Sequence, residues 1–156
     1  MSDEWNAMTY AGKDTILRVV REEADRMFAL AGQPGAWNAP TACESWQVKD
    51  VIGHLVDTTE GYFQAFEVAR SGAEAPAAYG LAGMHQRAGE TAQAFGELSQ
   101  GDMLARARAD LDKMMGILEP LTEEEWGGLM VPHFYMGTVP AFIYAAGQLM
   151  DYGVHT

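Results

Sequence analysis

The chain has 156 residues and a mass of 17.0 kDa, a length typical of one domain, and 48% of its residues are hydrophobic. Acidic residues outnumber basic ones by 22 to 10, which gives a formal net charge of −12 at pH 7. This balance argues against binding to nucleic acids or to anionic membrane surfaces, because both attract clustered Lys and Arg. The single cysteine, Cys43, excludes an internal disulfide and predicts a cytoplasmic protein.

No segment is predicted to cross a membrane or to direct the chain to one. The first residues lack the basic start and the apolar run of a signal peptide. The most apolar stretch, residues 139–150, is too short to span a bilayer and contains Gln148. Since no repeat or low-complexity tract divides the chain, we expect residues 1–156 to form a single domain, with residues 1–13 as an N-terminal arm.

Two amphipathic helices are predicted in the first half of the chain. Apolar residues follow helical spacing over residues 14–31, with Asp14 as the cap at the start and a Gly and a Pro after the end. A loop rich in Gly, Pro and Asn separates this helix from the second, predicted over residues 47–70. Asp50 lies in the first turn of the second helix, where a carboxylate interacts favourably with the helix dipole.

The third helical region is predicted to begin near Met84, after a linker of small residues. It breaks at about residues 99–102 and ends before Pro120, which cannot continue a helix. The pair Thr122 and Glu125 matches the capping-box pattern, which predicts a short helical turn at that point.

Residues 127–137 are predicted to be a loop, and the last helix is predicted to start near Thr138 and run to the end, with Pro140 in its first turn. No convincing run of alternating apolar and polar residues indicates a strand. We therefore expect an all-α protein, a four-helix bundle with a long irregular connection before the last helix.

The last helix carries a polar stripe in an almost uncharged segment. Residues 126–156 contain one formally charged residue, Asp151. Four polar residues follow one helix face at i, i+4, i+7 and i+11: Tyr144, Gln148, Asp151 and His155. The stripe is either a weakly polar outer face or a polar surface turned into the bundle, and the lack of charge favours the second. Burying Asp151 then requires a cation, a donor network or a proton, because an unpaired buried carboxylate costs several kcal/mol.

Two residues of this stripe and one residue of the second helix have the chemistry of metal ligands. Asp151 and His155 are four residues apart, so both side chains leave the same helix face and could share one divalent ion. His54 lies at the edge of the apolar stripe of the second helix, either as a ligand or as a core histidine. Small residues follow it along the same line and leave room for a ligand or for a closely packed helix: Thr58, Gly61 and Ala65.

The remaining candidates are weaker. His133, in the uncharged loop before the last helix, could line a pocket or serve as an alternative ligand. His85 has polar neighbours and is predicted to be solvated. Cys43 has no basic residue adjacent in sequence that would lower its pKa, so a small apolar role is predicted for it rather than that of a nucleophile.

Two motifs lie at the candidate ligands: Cys43-x-x-Trp46-x-Val48-x-Asp50-x-x-x-His54-Leu55, and Asp151-Tyr-Gly-Val-His155-Thr at the end of the chain. They resemble motifs of the DinB-like superfamily, in the branch named for the mycothiol-dependent maleylpyruvate isomerase N-terminal domain. With the order of the helices, the resemblance covers most of the chain from about Thr15 onward.

The resemblance implies a four-helix bundle around a divalent metal, with His54, Asp151 and His155 as three protein ligands and open positions for a thiol or a substrate. Zinc is the metal most strongly implied, with nickel, iron or manganese as alternatives. Some relatives carry Glu or His in place of Asp151. Neighbouring residues are expected to line the pocket or to support the ligands: Asp50, Thr58, Gly61, Tyr144, Gln148 and His133. Asp50 or Asp57 could orient His54.

The implied activity uses a low-molecular-weight thiol of the mycothiol or bacillithiol type as cosubstrate. A metal-bound thiolate would attack a small electrophile, and the product would be a conjugate in an S-transferase or a rearranged compound in an isomerase. Family isomerases carry a further C-terminal domain that nothing here matches, so maleylpyruvate isomerisation itself is not transferred, and a chain that ends one residue after His155 is expected to be truncated.

Two alternatives remain open. The same bundle could be a non-catalytic module that binds a small ligand or a partner, with a degenerate metal site. It could also catalyse hydrolysis by a metal-bound water, although Glu60 is too far along its helix to be nominated as the general base. Small molecules are the expected partners, and homodimerisation is plausible because bundles of this superfamily often pair.

Overall fold

The computed structural model describes residues 6–156. The described part of the chain contains six helices: α1 (Lys13–Ala31), α2 (Val48–Ser71), α3 (Met84–Ala92), α4 (Gln100–Leu118), α5 (Glu123–Gly128) and α6 (Phe142–His155). Helix α1 packs against α6, and α2 packs against α4, so these four helices enclose a common apolar core. The predicted all-α four-helix bundle is confirmed.

Helix α1 begins one residue before its predicted start. Lys13 is buried in its first turn, and its Nζ donates to the Glu119 carbonyl oxygen at 2.6 Å, which ties α1 to the end of α4. Asp14 lies in the first turn, but the residue at the cap position is Gly12, and no side chain caps the helix. Of the predicted N-terminal arm, residues 1–5 lie outside the described residues.

Helix α2 is closed at both ends by local interactions. The Gln47 backbone N–H donates to Asp50 Oδ2 at 2.8 Å, and the two residues form a reciprocal capping box. The helix ends at Gly72, which has a φ of 69° and therefore occupies the left-handed region that glycine tolerates best. Asp50 is thus used to start the helix, and this role corrects its predicted place beside His54.

The predicted break in the third helical region is confirmed. Helix α3 ends in a 3₁₀ turn, Gln93–Phe95, and α4 starts at a new cap, where Ser99 Oγ accepts the Asp102 backbone N–H at 3.1 Å. The end of α3 lies very close to α2, since a Cβ on Gly53 would be 2.4 Å from the Ala92 carbonyl oxygen. The break therefore lets a short helix cross α2 before α4 joins the bundle.

Helix α5 confirms the predicted capped turn. Thr122 Oγ1 accepts the Glu125 backbone N–H at 3.2 Å, and Glu125 Oε2 accepts the Thr122 N–H at 3.1 Å. The turn places Trp126 in the core with 1% of its surface exposed. Among residues 6–156, no helix is both long enough and apolar enough to cross a membrane.

The segment before α6 differs from its prediction. It is an antiparallel hairpin of two four-residue strands, β1 (Met130–His133) and β2 (Gly137–Pro140), in which Met130 pairs with Pro140 and His133 with Gly137. The predicted loop over residues 127–137 and the helix start near Thr138 are therefore wrong.

The physical reason for this error is local. Pro140, two residues after the predicted helix start, suits the first turn of a helix, but it also suits the end of a short strand. Val131 and Val139 are β-branched, pair with each other and turn inward, which favours the extended conformation. The four-residue strands are too short to show a clear alternation in the sequence. Helix α6 consequently starts at Phe142.

Candidate metal centre and substrate cavity

The structure brings His54, Asp151 and His155 together. His54 comes from the second turn of α2, and the other two come from the last turns of α6. One candidate ligand atom from each residue lies within 4.8 Å of the other two, and His54 Nε2 is 3.8 Å from Asp151 Oδ1. All three side chains are half-buried.

Two imidazoles and one carboxylate fit a first-row divalent ion. Ligands about 2.1 Å from a tetrahedral ion lie about 3.4 Å apart. Because the three candidate atoms lie within 4.8 Å of one another, each pair would need to close by at most about 1.4 Å to share one ion. Burial, followed by the neighbouring His54, lowers the pKa of His155, while Asp151 acts in the opposite direction. A lowered pKa keeps His155 neutral at pH 7, which is the form that binds a metal.

An indole and a thiol flank this cluster. The Trp46 ring lies 5.4 Å from the His54 ring and 6.4 Å from the His155 ring, and the two imidazole rings are 5.4 Å apart at 80°. Cys43 Sγ is 3.7 Å from His155 Nδ1. Sequence reasoning missed this position, because it considered only neighbours along the chain and His155 is 112 residues away.

The cluster opens on a cavity of about 650 Å³, a volume suited to a small molecule. Apart from the candidate ligands, most of its lining is apolar or aromatic, with Arg87 as the single Lys or Arg side chain among the described lining residues. Thr58 and Asp57 line it next to His54, and His85, predicted to be solvated, is an exposed residue of the lining.

The polar stripe of α6 turns into the bundle, as the sequence favoured, but it divides into two parts. Tyr144 and Gln148 are buried outside the cavity: the Tyr144 hydroxyl donates to the Pro132 carbonyl oxygen at 2.6 Å, and Gln148 Nε2 donates to Thr59 Oγ1 at 3.2 Å. These two residues therefore support the bundle and the hairpin, which corrects their predicted place in the pocket. The next two turns of α6 carry Asp151 and His155 to the cavity.

Gly61 also has a packing role. A Cβ at this position would lie 2.0 Å from the Phe134 ring, so the absence of a side chain allows the tip of the hairpin to rest on α2. From the sequence, a glycine at this position could serve either to leave space for a ligand or to allow close packing. The structure shows close packing. Gly61 does not line the cavity, whereas Phe134 does.

His133 lines the cavity at the end of β1. Its Nδ1 accepts the Tyr135 backbone N–H at 3.2 Å. Burial lowers the pKa of His133, with Asp151 acting in the opposite direction. Of its two predicted roles, the structure places it in the pocket wall and not among the three clustered ligands.

Glu60, the residue considered as a general base for hydrolysis, is paired with Arg106. Arg106 donates to both carboxylate oxygens of Glu60, at 2.6 and 2.8 Å, and this hydrogen bond is the main cause that lowers the pKa of Glu60. Glu60 is absent from the cavity lining.

This helical bundle has the DinB-like fold. A family model described as the mycothiol maleylpyruvate isomerase N-terminal domain matches residues 18–156, so the chain belongs to that family. A search of curated proteins finds no match.

Two solved structures share the fold. One is the mycothiol-dependent maleylpyruvate isomerase, with a TM-score of 0.68 and 15% identity. The other is a His-to-Ala mutant of that isomerase, with a TM-score of 0.68 and 14% identity. In each case the match covers 91% of this chain and 58% of the other chain, so this chain corresponds to little more than half of that enzyme.

Proposed function

We propose that this protein is a thiol-dependent enzyme that adds a low-molecular-weight thiol, of the mycothiol or bacillithiol type, to a small electrophile. The product is either a conjugate or, after the thiol leaves again, an isomer. The observation that carries the proposal is the convergence of His54, Asp151 and His155 at one end of a cavity of about 650 Å³ in a chain of this family.

The three residues would hold a divalent ion, for which zinc is our first choice and nickel, iron and manganese are alternatives. When bound, such an ion lowers the pKa of a thiol and so makes thiolate available at neutral pH. Asp151 supplies the one negative charge of the ligand set, and neutral His155 supplies a nitrogen lone pair. Three protein ligands leave coordination positions open toward the cavity.

The residues around the ligands hold the reactants away from bulk water. Trp46 packs beside both imidazoles, and the apolar lining of the cavity strengthens electrostatic interactions by excluding solvent. Cys43 lies in the same lining, but the nucleophile in this scheme is the sulfur of the cosubstrate. A non-catalytic binding module would not need three convergent ligand groups. Homodimerisation and a cytoplasmic location stay predictions from the sequence.

The test begins with the metal content of the purified protein, measured by elemental analysis at known protein concentration. We expect about one zinc or nickel per chain, and loss of that metal in His54→Ala and His155→Ala. His85→Ala is the matched control, because it removes a histidine of the cavity lining that is outside the ligand cluster. Absence of metal after reconstitution would rule out the proposed metal centre. Equal metal content in His54→Ala, His155→Ala and His85→Ala would also rule it out.

The second step measures consumption of an electrophile such as an α,β-unsaturated carbonyl compound in the presence and absence of mycothiol or bacillithiol. Turnover that requires the thiol and is lost in the metal-free variants is the expected outcome. Turnover without any thiol would favour hydrolysis instead. Binding of the electrophile with no turnover under either condition would favour the non-catalytic module.

A further inference from the structure

The wall of the cavity contains two hydrogen-bond donors without partners. The Tyr62 hydroxyl and His133 Nε2 have no hydrogen-bond partner among residues 6–156, although Tyr62 is 95% buried (5% exposed). Neither atom is sealed in the interior, because the only buried and unpaired side-chain atoms of the described chain are Asp110 Oδ2 and Gln148 Oε1. Both side chains line the cavity, so their free polar atoms are available to a ligand there.

The hydrogen-bonding role of His133 follows from its main-chain contact. A backbone N–H is always a donor, so the Tyr135 N–H bond to Nδ1 requires a lone pair on that nitrogen. In the neutral ring the proton is therefore on Nε2, and burial favours the neutral ring by lowering the pKa of His133. His133 thus offers the cavity an uncharged N–H donor.

Tyr62 is held in the corresponding neutral state. Burial, with Asp151 as the next cause, raises the pKa of its hydroxyl far above the ordinary value. The ring is fixed edge-on against Tyr144 at 4.7 Å and lies 6.2 Å from the His133 ring. A Cβ on Gly147 would lie 2.8 Å from the Tyr62 oxygen, so the glycine makes room for the hydroxyl at the cavity wall.

We propose that Tyr62 and His133 form a two-donor site that binds the oxygen on which negative charge develops when the thiol adds to the electrophile. This inference rests on the proposed function and deepens it by assigning two catalytic residues. Preformed neutral donors in an apolar wall stabilise a developing oxyanion with little reorganisation.

The electron count of the step is simple. The thiolate sulfur forms a bond to the β-carbon, the carbon–carbon π pair moves to the adjacent bond, and the carbonyl π pair moves to oxygen as an enolate. Tyr62 and His133 donate hydrogen bonds to that oxygen and keep their protons. When the carbonyl reforms, either the S–C bond breaks and thiolate leaves from an isomerised alkene, or the α-carbon takes a proton from water and the conjugate remains.

The donor pair is tested with 4-nitrophenolate, which carries an oxyanion, and nitrobenzene, which has the same nitroaryl ring without it. Dissociation constants are measured by calorimetry, on the protein as purified and after chelator treatment, at a pH at which 4-nitrophenol is ionised. Tyr62→Phe removes only the hydroxyl. His133→Asn can still accept the Tyr135 N–H but lacks a donor at the Nε2 position, whereas His133→Gln restores one.

We expect Tyr62→Phe and His133→Asn each to weaken 4-nitrophenolate binding about tenfold and to leave nitrobenzene within about twofold. His133→Gln should recover most of the affinity. Tyr10→Phe, on the exposed start of the chain, is the matched control and should change neither ligand. Equal weakening of both ligands, no change in 4-nitrophenolate binding, or a wild-type protein that does not prefer 4-nitrophenolate would each overturn the inference.

The kinetic readout separates this inference from the proposed function. If thiol-dependent turnover is present, Tyr62→Phe should lower kcat by about 100-fold with KM within about threefold, because the oxyanion exists only during the reaction. A protein without metal or turnover that still discriminates 4-nitrophenolate through Tyr62 and His133 would refute the function and keep the donor site. Normal turnover in both variants would refute the donor site and keep the function.

Discussion

The two ends of the cavity are built on different principles. At the metal end, His54, Asp151 and His155 converge from two helices, and among the described residues no hydrogen bond joins them. His54 Nε2 is 3.8 Å from Asp151 Oδ1, and the two imidazole rings are 5.4 Å apart. At the aromatic end, Tyr62, His133 and Phe134 are fixed by main-chain hydrogen bonds and by rings packed onto glycine. The metal end should therefore gain its order from a bound ligand, while the aromatic end owes its order to the fold itself.

The largest expected effect tests the metal end. Zinc at a free concentration about 100 times its dissociation constant should raise the free energy of unfolding by about 2.7 kcal/mol, because it binds the folded state alone. His54→Ala should abolish this gain, since it removes the candidate ligand on α2 while leaving the core intact. The measurement is urea unfolding with and without zinc, with His85→Ala as control. An equal zinc effect in wild type and His54→Ala would show that the ion binds elsewhere.

The next effect tests the aromatic end, and here two glycines make a matched pair. Ala is favoured over Gly inside a helix by about 1 kcal/mol, so Gly116→Ala, where a Cβ meets open space, should stabilise α4 by about that amount. Gly61→Ala brings the same propensity gain but pushes the Phe134 ring away from α2. Overpacking costs about 1–3 kcal/mol, so Gly61→Ala should fall about 2 kcal/mol below Gly116→Ala in unfolding free energy.

Metal content is the second readout for this pair. Because Gly61 touches the hairpin and none of the three ligands, Gly61→Ala should bind zinc with unchanged stoichiometry. If Gly61→Ala is as stable as Gly116→Ala, Phe134 moves aside freely. If Gly61→Ala loses metal, the two ends are not independent.

A smaller effect is expected from the bond that anchors β1. Tyr144→Phe removes one buried hydrogen bond and leaves the Pro132 carbonyl oxygen without its donor, which should cost about 1 kcal/mol. Chemical denaturation measures the loss, and Tyr10→Phe should be neutral because Tyr10 is exposed. If Tyr144→Phe is also neutral, the hairpin depends on packing rather than on this bond.

The contrast between the two ends also explains which features were predictable from the sequence. Helical periodicity predicted the bundle, and the spacing of Asp151 and His155 with the motif around His54 predicted the three residues that converge. Both signals are local, or are short motifs that the family resemblance brings together. The residues of the metal end could therefore be predicted from the sequence.

The aromatic end could not be predicted in the same way. It depends on a hairpin whose strands have four residues each and on a Phe134–Gly61 contact between residues 73 positions apart, for which the chain carries no local signal. The approach of Cys43 to His155 was missed for the same reason, because these two residues are also far apart in the sequence. Asp50 was misplaced because a carboxylate in the first turn of a helix can face a neighbouring site or its own backbone, and the capping box decided for the backbone.

The smallest expected effect concerns Asp110, on α4. Burial, followed by the neighbouring Glu60, raises the pKa of Asp110 to about 7, while Arg106 and Lys113 act in the opposite direction. Asp110 Oδ2 is buried without a hydrogen-bond partner, and the charge of Asp110 contributes to the raised pKa of Tyr152 on α6. A negative charge at this position is therefore unfavourable in the folded state.

The sign of the pH dependence follows from proton binding. Between the ordinary pKa of an aspartate and about 7, the folded state binds more protons at Asp110 than the unfolded state, so this group makes stability fall as pH rises through that window. Because the side chain is only half-buried, solvent screening limits the contribution to about 1 kcal/mol. Glu60, whose pKa is lowered, has the opposite sign and loses its contribution as pH falls.

Asp110→Asn isolates the Asp110 contribution, because the amide keeps the shape and removes the charge. Its unfolding free energy should exceed that of wild type by about 1 kcal/mol at pH 8 and equal it near pH 4, where the wild-type carboxyl is protonated in the folded state. Urea unfolding across this range, without added metal, gives the comparison. A constant difference at all pH values would assign the effect to packing, since only a titrating carboxyl produces a difference that grows between pH 4 and pH 8.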